Sequence, residues 1–269
     1  MFPLKDENPT RSIPWVTVAL VAVNLLAMAW LAMQPPPDGQ LEVIRLGFVP
    51  ARVAQLGDPN LVVDVPLDPA GPAAGNLPAG FPPAQAVVRL PAQPVQIFAS
   101  VFTCMFLHGG LMHIVGNMWF LIIFGDNIED RFGHAPYLVM YLVSGLAASG
   151  LQILTDPSST LPTVGASGAI AGVMGSYFLL YPHARVVTLI PLGIIWQTVL
   201  LPAPIFLGIW FVFQIASAAF TEPGMGGVAF WAHVGGFAAG LGITWWGRQA
   251  GWLAPPPRRT PAGWSHEHV

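Results

Sequence analysis

Four polar residues stand inside stretches that are otherwise apolar: His113, Asn117, Ser167 and His233. A serine hydroxyl is a weak nucleophile and needs a base within about 3 Å. His233 could take that proton and later deliver it to a leaving amine. The tetrahedral oxyanion formed by such an attack needs hydrogen-bond donors. The Asn117 amide, a ring N–H of His113 and the backbone N–H of Ser167, near a helix N-terminus, are candidates. His113 and Asn117 are four residues apart, and so share one face of a helix. No acidic residue is evident inside the apolar stretches to orient His233, so the set reads as a dyad rather than a triad. The chemistry invokes no metal and no cofactor.

These residues must be positioned by elements that sit in lipid. Hydrophobic residues make up 54% of the chain and charged residues 9%, against about 25% charged in an ordinary soluble domain. Such a chain cannot cover itself with polar surface, so the bilayer is part of its solvent. A net charge of -3 gives no case for nucleic acid. The single cysteine, Cys104, excludes an internal disulfide.

Ile13 to Met33 is an uncharged run of about 21 residues, enough to cross roughly 30 Å of hydrocarbon. The rival reading, a cleaved signal peptide ending near Ala27-Met-Ala29, fits poorly with its length and with Asp6 and Glu7 ahead of it. Further spans read as Leu111 to Phe124, Pro136 to Leu154, Gly165 to Leu180, Pro204 to Phe220 and Val228 to Trp246. Val186 to Leu201, broken by Pro191, reads as an interfacial loop or an extension of the fifth span. The expected fold is an all-α, six-helix membrane bundle over 13–246, after a short cytoplasmic N-terminus (1–12) and before a disordered cytoplasmic tail (247–269). Lys5, Arg11, Arg131, Arg185, Arg248, Arg258 and Arg259 fall on one side in this scheme, which puts both termini in the cytoplasm. The long first outer loop, 34–107, holds Arg45, Arg52 and Arg89. It is proline-rich from Pro66 to Pro94, partly amphipathic over Leu41 to Leu56, and strongly apolar over Phe98 to Leu107.

In this topology the second, fourth and sixth spans all run inwards. His113 and Asn117 then lie near an outer end, Ser167 in a first turn, and His233 about 8 Å below its helix start. If the three helices are neighbours, all four sit at a similar depth, towards the outer face. Ser167, Ala171 and Gly175, flanked by Gly168 and Gly172, form a small-residue stripe. Gly236 and Gly240 follow His233 at helical spacing. Small residues let membrane helices approach closely, as a short serine side chain requires. Each residue alone has a plainer reading. A serine or glycine in such a helix is usually packing, Asn117 could be interhelical glue, and His108 could sit among headgroups. Asn24 and Gln214 read as packing or interhelical hydrogen bonds. The coincidence of depth is what sets the four apart.

The chain resembles the rhomboid intramembrane proteases. Gly165-Ala-Ser167-Gly168 is similar to their nucleophile motif, and Ala232-His233-Val-Gly-Gly236-Phe-Ala-Ala-Gly240 to their last-span histidine motif. His108, His113 and Asn117 match the second-span pattern, and Gly125, Glu129 and Gly133 the turn after it. The resemblance covers about 96–246. It implies Ser167 as nucleophile, His233 as base, His113 and Asn117 as oxyanion donors, and a water-filled cavity open to the outside. It also implies single-span membrane substrates entering near the fifth helix, with Thr221 to Trp231 as a cap, and as location a bacterial plasma membrane. Two positions depart from the pattern. Ala99-Ser100 stands where many members carry Trp-Arg, and Ala171 where many carry a tyrosine that stacks on the histidine.

Three other functions compete. A catalytically inactive rhomboid-like binder of membrane clients would usually lack the serine or the histidine, and both are present. A transporter or channel would carry polar residues through the full membrane depth, whereas these cluster towards one face. A metalloprotease would need a motif such as His-Glu-x-x-His, and the terminal His266-Glu267-His268 reads as an exposed tail.

Overall fold

A computed structural model describes residues 1–35, 38–67, 87–193, 195–221, 228–253, 258–260 and 263–265. Strand β1 (Phe2–Asp6) precedes helix α1 (Trp15–Ala32). The first loop holds helix α2 (Asp38–Leu46), a 3-10 turn (Pro50–Leu56), strands β2 (Val63–Pro66) and β3 (Val87–Leu90), and helix α3 (Pro94–Thr103). Helices α4 (Leu111–Phe132), α5 (His134–Thr155) and α6 (Ser167–Leu180) follow. Strands β4 (Arg185–Leu192) and β5 (Ile195–Pro202) lead into α7 (Ala203–Phe220) and α8 (Phe230–Gln249). Two short strands, β6 (Arg258–Thr260) and β7 (Gly263–Ser265), pair in the tail.

Among the described residues four helices, α1, α4, α5 and α7, are long and apolar enough to cross a membrane. They carry many large apolar side chains outwards, among them Leu26, Val139, Val212 and Phe213, as lipid contact requires. Helix α6 is the opposite case. Eleven of its 14 residues are buried, as expected of a helix that is apolar all round. It lies against α8 through glycines. A Cβ at Gly236 or Gly240 would collide with the backbone carbonyls of Gly168 and Gly172, and one at Gly175 with that of Phe237. Backbone therefore meets backbone along this seam, with no side chain between.

The turn joining α4 to α5 explains the Gly125, Glu129 and Gly133 pattern. Glu129 is fully buried. Its carboxylate accepts the backbone N–H of Val16 and Thr17 (both 2.8 Å) and the Thr17 hydroxyl (2.7 Å). It thereby satisfies orphan donors at the N-terminus of α1, where a negative charge is also favoured by the helix dipole. His134 Nδ1 lies 2.5 Å from the same carboxylate. Gly133 takes φ +78°, the left-handed region that favours glycine.

The structure differs from the sequence expectations in several elements. Val186 to Leu201 is neither a loop nor a helical extension. It is the β4–β5 hairpin, in register from Arg185 opposite Pro202 to Leu192 opposite Ile195. Its β-branched residues suit a pleated, half-buried surface. The short N-terminal segment supplies the third strand, β1, antiparallel to β4. Within the tail expected to be disordered, α8 continues to Gln249 and β6 pairs with β7; 254–257, 261–262 and 266–269 lie outside the described residues. Helix α4 also runs past Phe124 to Phe132, because the buried side of its last turns is lined by Asn127, Ile128 and Glu129.

The first loop is partly built. Phe48 and Thr163 exchange backbone hydrogen bonds (3.0 and 2.7 Å), Ala51 N–H donates to Ser159 O (3.0 Å), and Gly165 N–H to Cys104 O (2.9 Å). The loop thus holds the segment leading to Ser167. Arg52, almost fully buried, ties the loop together by donating to Gln55 Oε1 (3.2 Å) and Gln96 Oε1 (3.0 Å). Ala99-Ser100, at the place where many rhomboids carry Trp-Arg, lies in α3, and the Ser100 hydroxyl donates to Ile97 O of its own helix (2.8 Å). Of the proline-rich stretch, Pro69, Pro72, Pro78, Pro82 and Pro83 lie outside the described residues.

Candidate active site

Ser167 opens α6 as its first residue, so its backbone N–H has no partner in the preceding turn. His233 is the fourth residue of α8. The glycine seam between these two helices brings them together, and Ser167 Oγ lies 2.8 Å from His233 Nε2. The other ring nitrogen, Nδ1, lies 2.7 Å from Gln214 Oε1 on α7.

His113 and Asn117 approach from α4. A Cβ built on Gly165, two residues before Ser167, would meet His113 Nε2 at 2.7 Å and Asn117 Nδ2 at 3.5 Å. Both nitrogens therefore converge on the backbone that leads into Ser167, and Gly165 (φ +123°) is needed there for space and for conformation. His113 Nδ1 accepts the Gly109 N–H at a long 3.4 Å. A nitrogen that accepts carries no hydrogen, so the ring hydrogen falls on Nε2, the atom facing Gly165. Asn117 Nδ2 is buried and without a hydrogen-bond partner among the described residues. Buried donors are normally satisfied. One left open beside a serine is suited to a charge that exists only during a reaction.

A cavity of about 690 Å³ is lined by Ser167, His233, His113 and Asn117, and by Trp210 and Phe230. Gln152, Thr155, Asp156, Ser159 and Thr163, around the α5–α6 connection, also line it. Thr221, Val228, Ala229 and Trp231 belong to the lining. They flank 222–227, the middle of the expected cap, which lies outside the described residues.

His108 is not at a surface among headgroups. It is 2% exposed, with its ring edge-on to His113 at 5.1 Å between centroids. Burial, helped by the neighbouring His113, pushes it down to about 4, so it backs His113 as a neutral ring. Among the described residues Asn24 bonds within its own helix, donating to Leu20 O (2.7 Å). Gln214, by contrast, meets a side chain on another helix, His233. Its one legible signal was being an amide in an apolar helix. Ala171 offers no ring to His233 from α6, and the Trp210 indole on α7 lies 5.8 Å from the imidazole, tilted by 34°.

Comparison with known proteins gives the chain a family. A sequence model of the Rhomboid domain matches residues 96–250, more than half of the chain. The chain belongs to the rhomboid family. It is 38% identical over 76 residues to RHOMBOID-like protein 5 of Arabidopsis thaliana, covering 28% of this chain and 25% of that protein. It is 31% identical over 148 residues to RHOMBOID-like protein 4 of the same plant, 52% of this chain and 32% of that one. Rhomboid protein 1, mitochondrial, of Saccharomyces cerevisiae is 28% identical over 155 residues, 55% of this chain and 41% of that protein. The matches thus span only a quarter to two fifths of these relatives' lengths. This rhomboid is an integral membrane protein, as its apolar helices also require.

Proposed function

We propose that this rhomboid is an intramembrane serine endopeptidase that hydrolyses peptide bonds in or near the membrane-spanning segments of other proteins. The observation that carries the reading is the 2.8 Å contact between Ser167 Oγ and His233 Nε2 in the lining of a cavity. Ser167 Oγ attacks the scissile carbonyl while His233 Nε2 takes its proton. The oxyanion is met by the Ser167 backbone N–H, Asn117 Nδ2 and His113 Nε2–H. The imidazolium then protonates the leaving amine, and a water from the cavity, deprotonated by the same ring, releases the acyl group.

The bundle is read as six membrane helices, α1, α4, α5, α6, α7 and α8, with both termini cytoplasmic. Helix α6 is too short to span alone, and its setting inside the bundle supports counting it. The substrates are single-span proteins whose segments unwind easily near small residues. The compartment is a biological membrane, and the plant and yeast relatives lend no support to a bacterial plasma membrane in particular.

The test is labelling of the purified protein in detergent with a fluorophosphonate probe. Wild type should be labelled and Ser167→Ala should not. Equal labelling of both would remove Ser167 from the reaction and the proposal with it.

A further inference from the structure

Among the described residues the Ser167–His233 pair has no acidic partner, yet a histidine acts as a base only in one of its two neutral forms. Nε2 must be free of hydrogen to accept the serine proton, so the hydrogen must reside on Nδ1. Something has to hold it there. Among the described residues, the group 2.7 Å from Nδ1 is Gln214 Oε1. Both side chains are buried, Gln214 at 5% and His233 at 8% exposed. An amide oxygen cannot donate, so its place opposite Nδ1 demands the Nδ1–H form. Were the amide turned over, its NH2 would donate to Nδ1. The ring hydrogen would then face Ser167 Oγ, and the ring could not take the serine proton.

We propose that Gln214 is the positioning residue for His233, fixing the tautomer and the ring plane that present Nε2 to Ser167. This rests on the reading of Ser167 and His233 as the reacting pair. The amide oxygen accepts the Nδ1–H before and after proton transfer, and the amide stays neutral throughout. The contact also assigns α7 a role. Trp210 and Gln214 lie four residues apart and both meet His233, while Ile209, Val212 and Phe213 are exposed. Only five of the helix's 18 residues are buried. Orientation of the base therefore depends on how α7 is seated against α8, and a shift of α7 would release the ring.

Two variants of the full chain in detergent test this. Gln214→Met keeps the volume and removes the acceptor. Gln214→Glu keeps an acceptor at the same reach. On a transmembrane peptide substrate, Gln214→Met should lower kcat by about 10- to 100-fold with KM little changed. That is less than the roughly 10⁴-fold loss for disabling a triad carboxylate, because a neutral amide stabilises the imidazolium less. Gln214→Glu should retain more activity than Gln214→Met. Imidazole 15N shifts of His233 supply a readout independent of turnover: Nδ1–H should dominate in wild type and lose dominance in Gln214→Met. Wild-type kcat in Gln214→Met, or a wild-type ring protonated on Nε2, would overturn the proposal. If the wild type cleaves nothing, the protease reading fails, and the tautomer comparison still decides what Gln214 does. If Gln214→Met does not fold, Gln214→Glu decides by the same shifts, with Nε2–H in that variant counting against the proposal.

Discussion

At the scale of single residues, the least ambiguous donor is Asn117. Its amide nitrogen is buried, aimed at Gly165 beside His113 Nε2, and unpaired among the described residues. An interaction made mainly in the transition state shows itself in kcat. Asn117→Ala should therefore lower kcat by roughly 10² to 10³ with a smaller change in KM. A loss confined to KM would make Asn117 a substrate-binding residue instead. The amide was readable as a candidate from its spacing to His113. Its lack of a partner was not, because a hydrogen-bond vacancy is a property of everything around an atom.

At the scale of elements, the α6–α8 seam and the N-terminal strand carry the consequences. The seam has no slack, since a Cβ at Gly236 would collide with the Gly168 carbonyl. Gly236→Val should force the helices apart and cost more than the 1–3 kcal/mol or so typical of overpacking. It should depress the thermal midpoint in detergent and abolish fluorophosphonate labelling even with Ser167 and His233 intact. A variant with wild-type midpoint and labelling would mean that the seam is looser than the backbone contact implies.

Strand β1 is docked through Asp6, which accepts hydrogen bonds from Tyr177 Oη (2.7 Å), Asn127 Nδ2 (2.9 Å) and Asn8 Nδ2 (3.1 Å). Burial raises its carboxyl to about 6 from 3.8, with the Tyr177 hydrogen bond working the other way. The docked state therefore holds the proton more tightly than the undocked one. Docking is strongest below about pH 4, weakens as pH rises through the interval up to about 6, and is flat above it. Over pH 4 to 7 the thermal midpoint of wild type should fall relative to that of Asp6→Asn. Parallel pH profiles for the two proteins would show that Asp6 does not titrate in this way.

At the scale of the whole molecule, the six-span reading fixes which segments share a side of the membrane. Cys104 is the only cysteine and is buried, so Cys104→Ser provides a background for single new cysteines. In sealed, oriented vesicles, a membrane-impermeant maleimide should reach Asp156→Cys from the side opposite to Lys5→Cys and Gly251→Cys. Labelling of all three from one side would break the topology, and with it the common depth of His113, Asn117, Ser167 and His233.

Much of this was legible in local sequence. Runs of apolar residues long enough for a bilayer mark helices wherever they occur, because no backbone group can be left unpaired in hydrocarbon. Polar residues inside those runs are costly enough to single out His113, Asn117, Ser167 and His233, and glycines at helical spacing announce where helices touch. What stayed hidden depends on partners far along the chain. Strands β1, β4 and β5 exist as a sheet because Phe2–Asp6 lies beside Arg185–Leu192, and no window of sequence contains both. The first loop could be seen to be long, but its hold on Thr163 and Gly165 through Phe48 and Cys104 appears only when the chain is folded. Gln214 and Asn24 looked alike, each one amide in an apolar helix. Only the packing of α7 against α8 distinguishes them, turning one inward onto His233 while the other satisfies itself on its own backbone. Which residues are polar in lipid is set by composition, whereas which of them meet is set by how the helices pack.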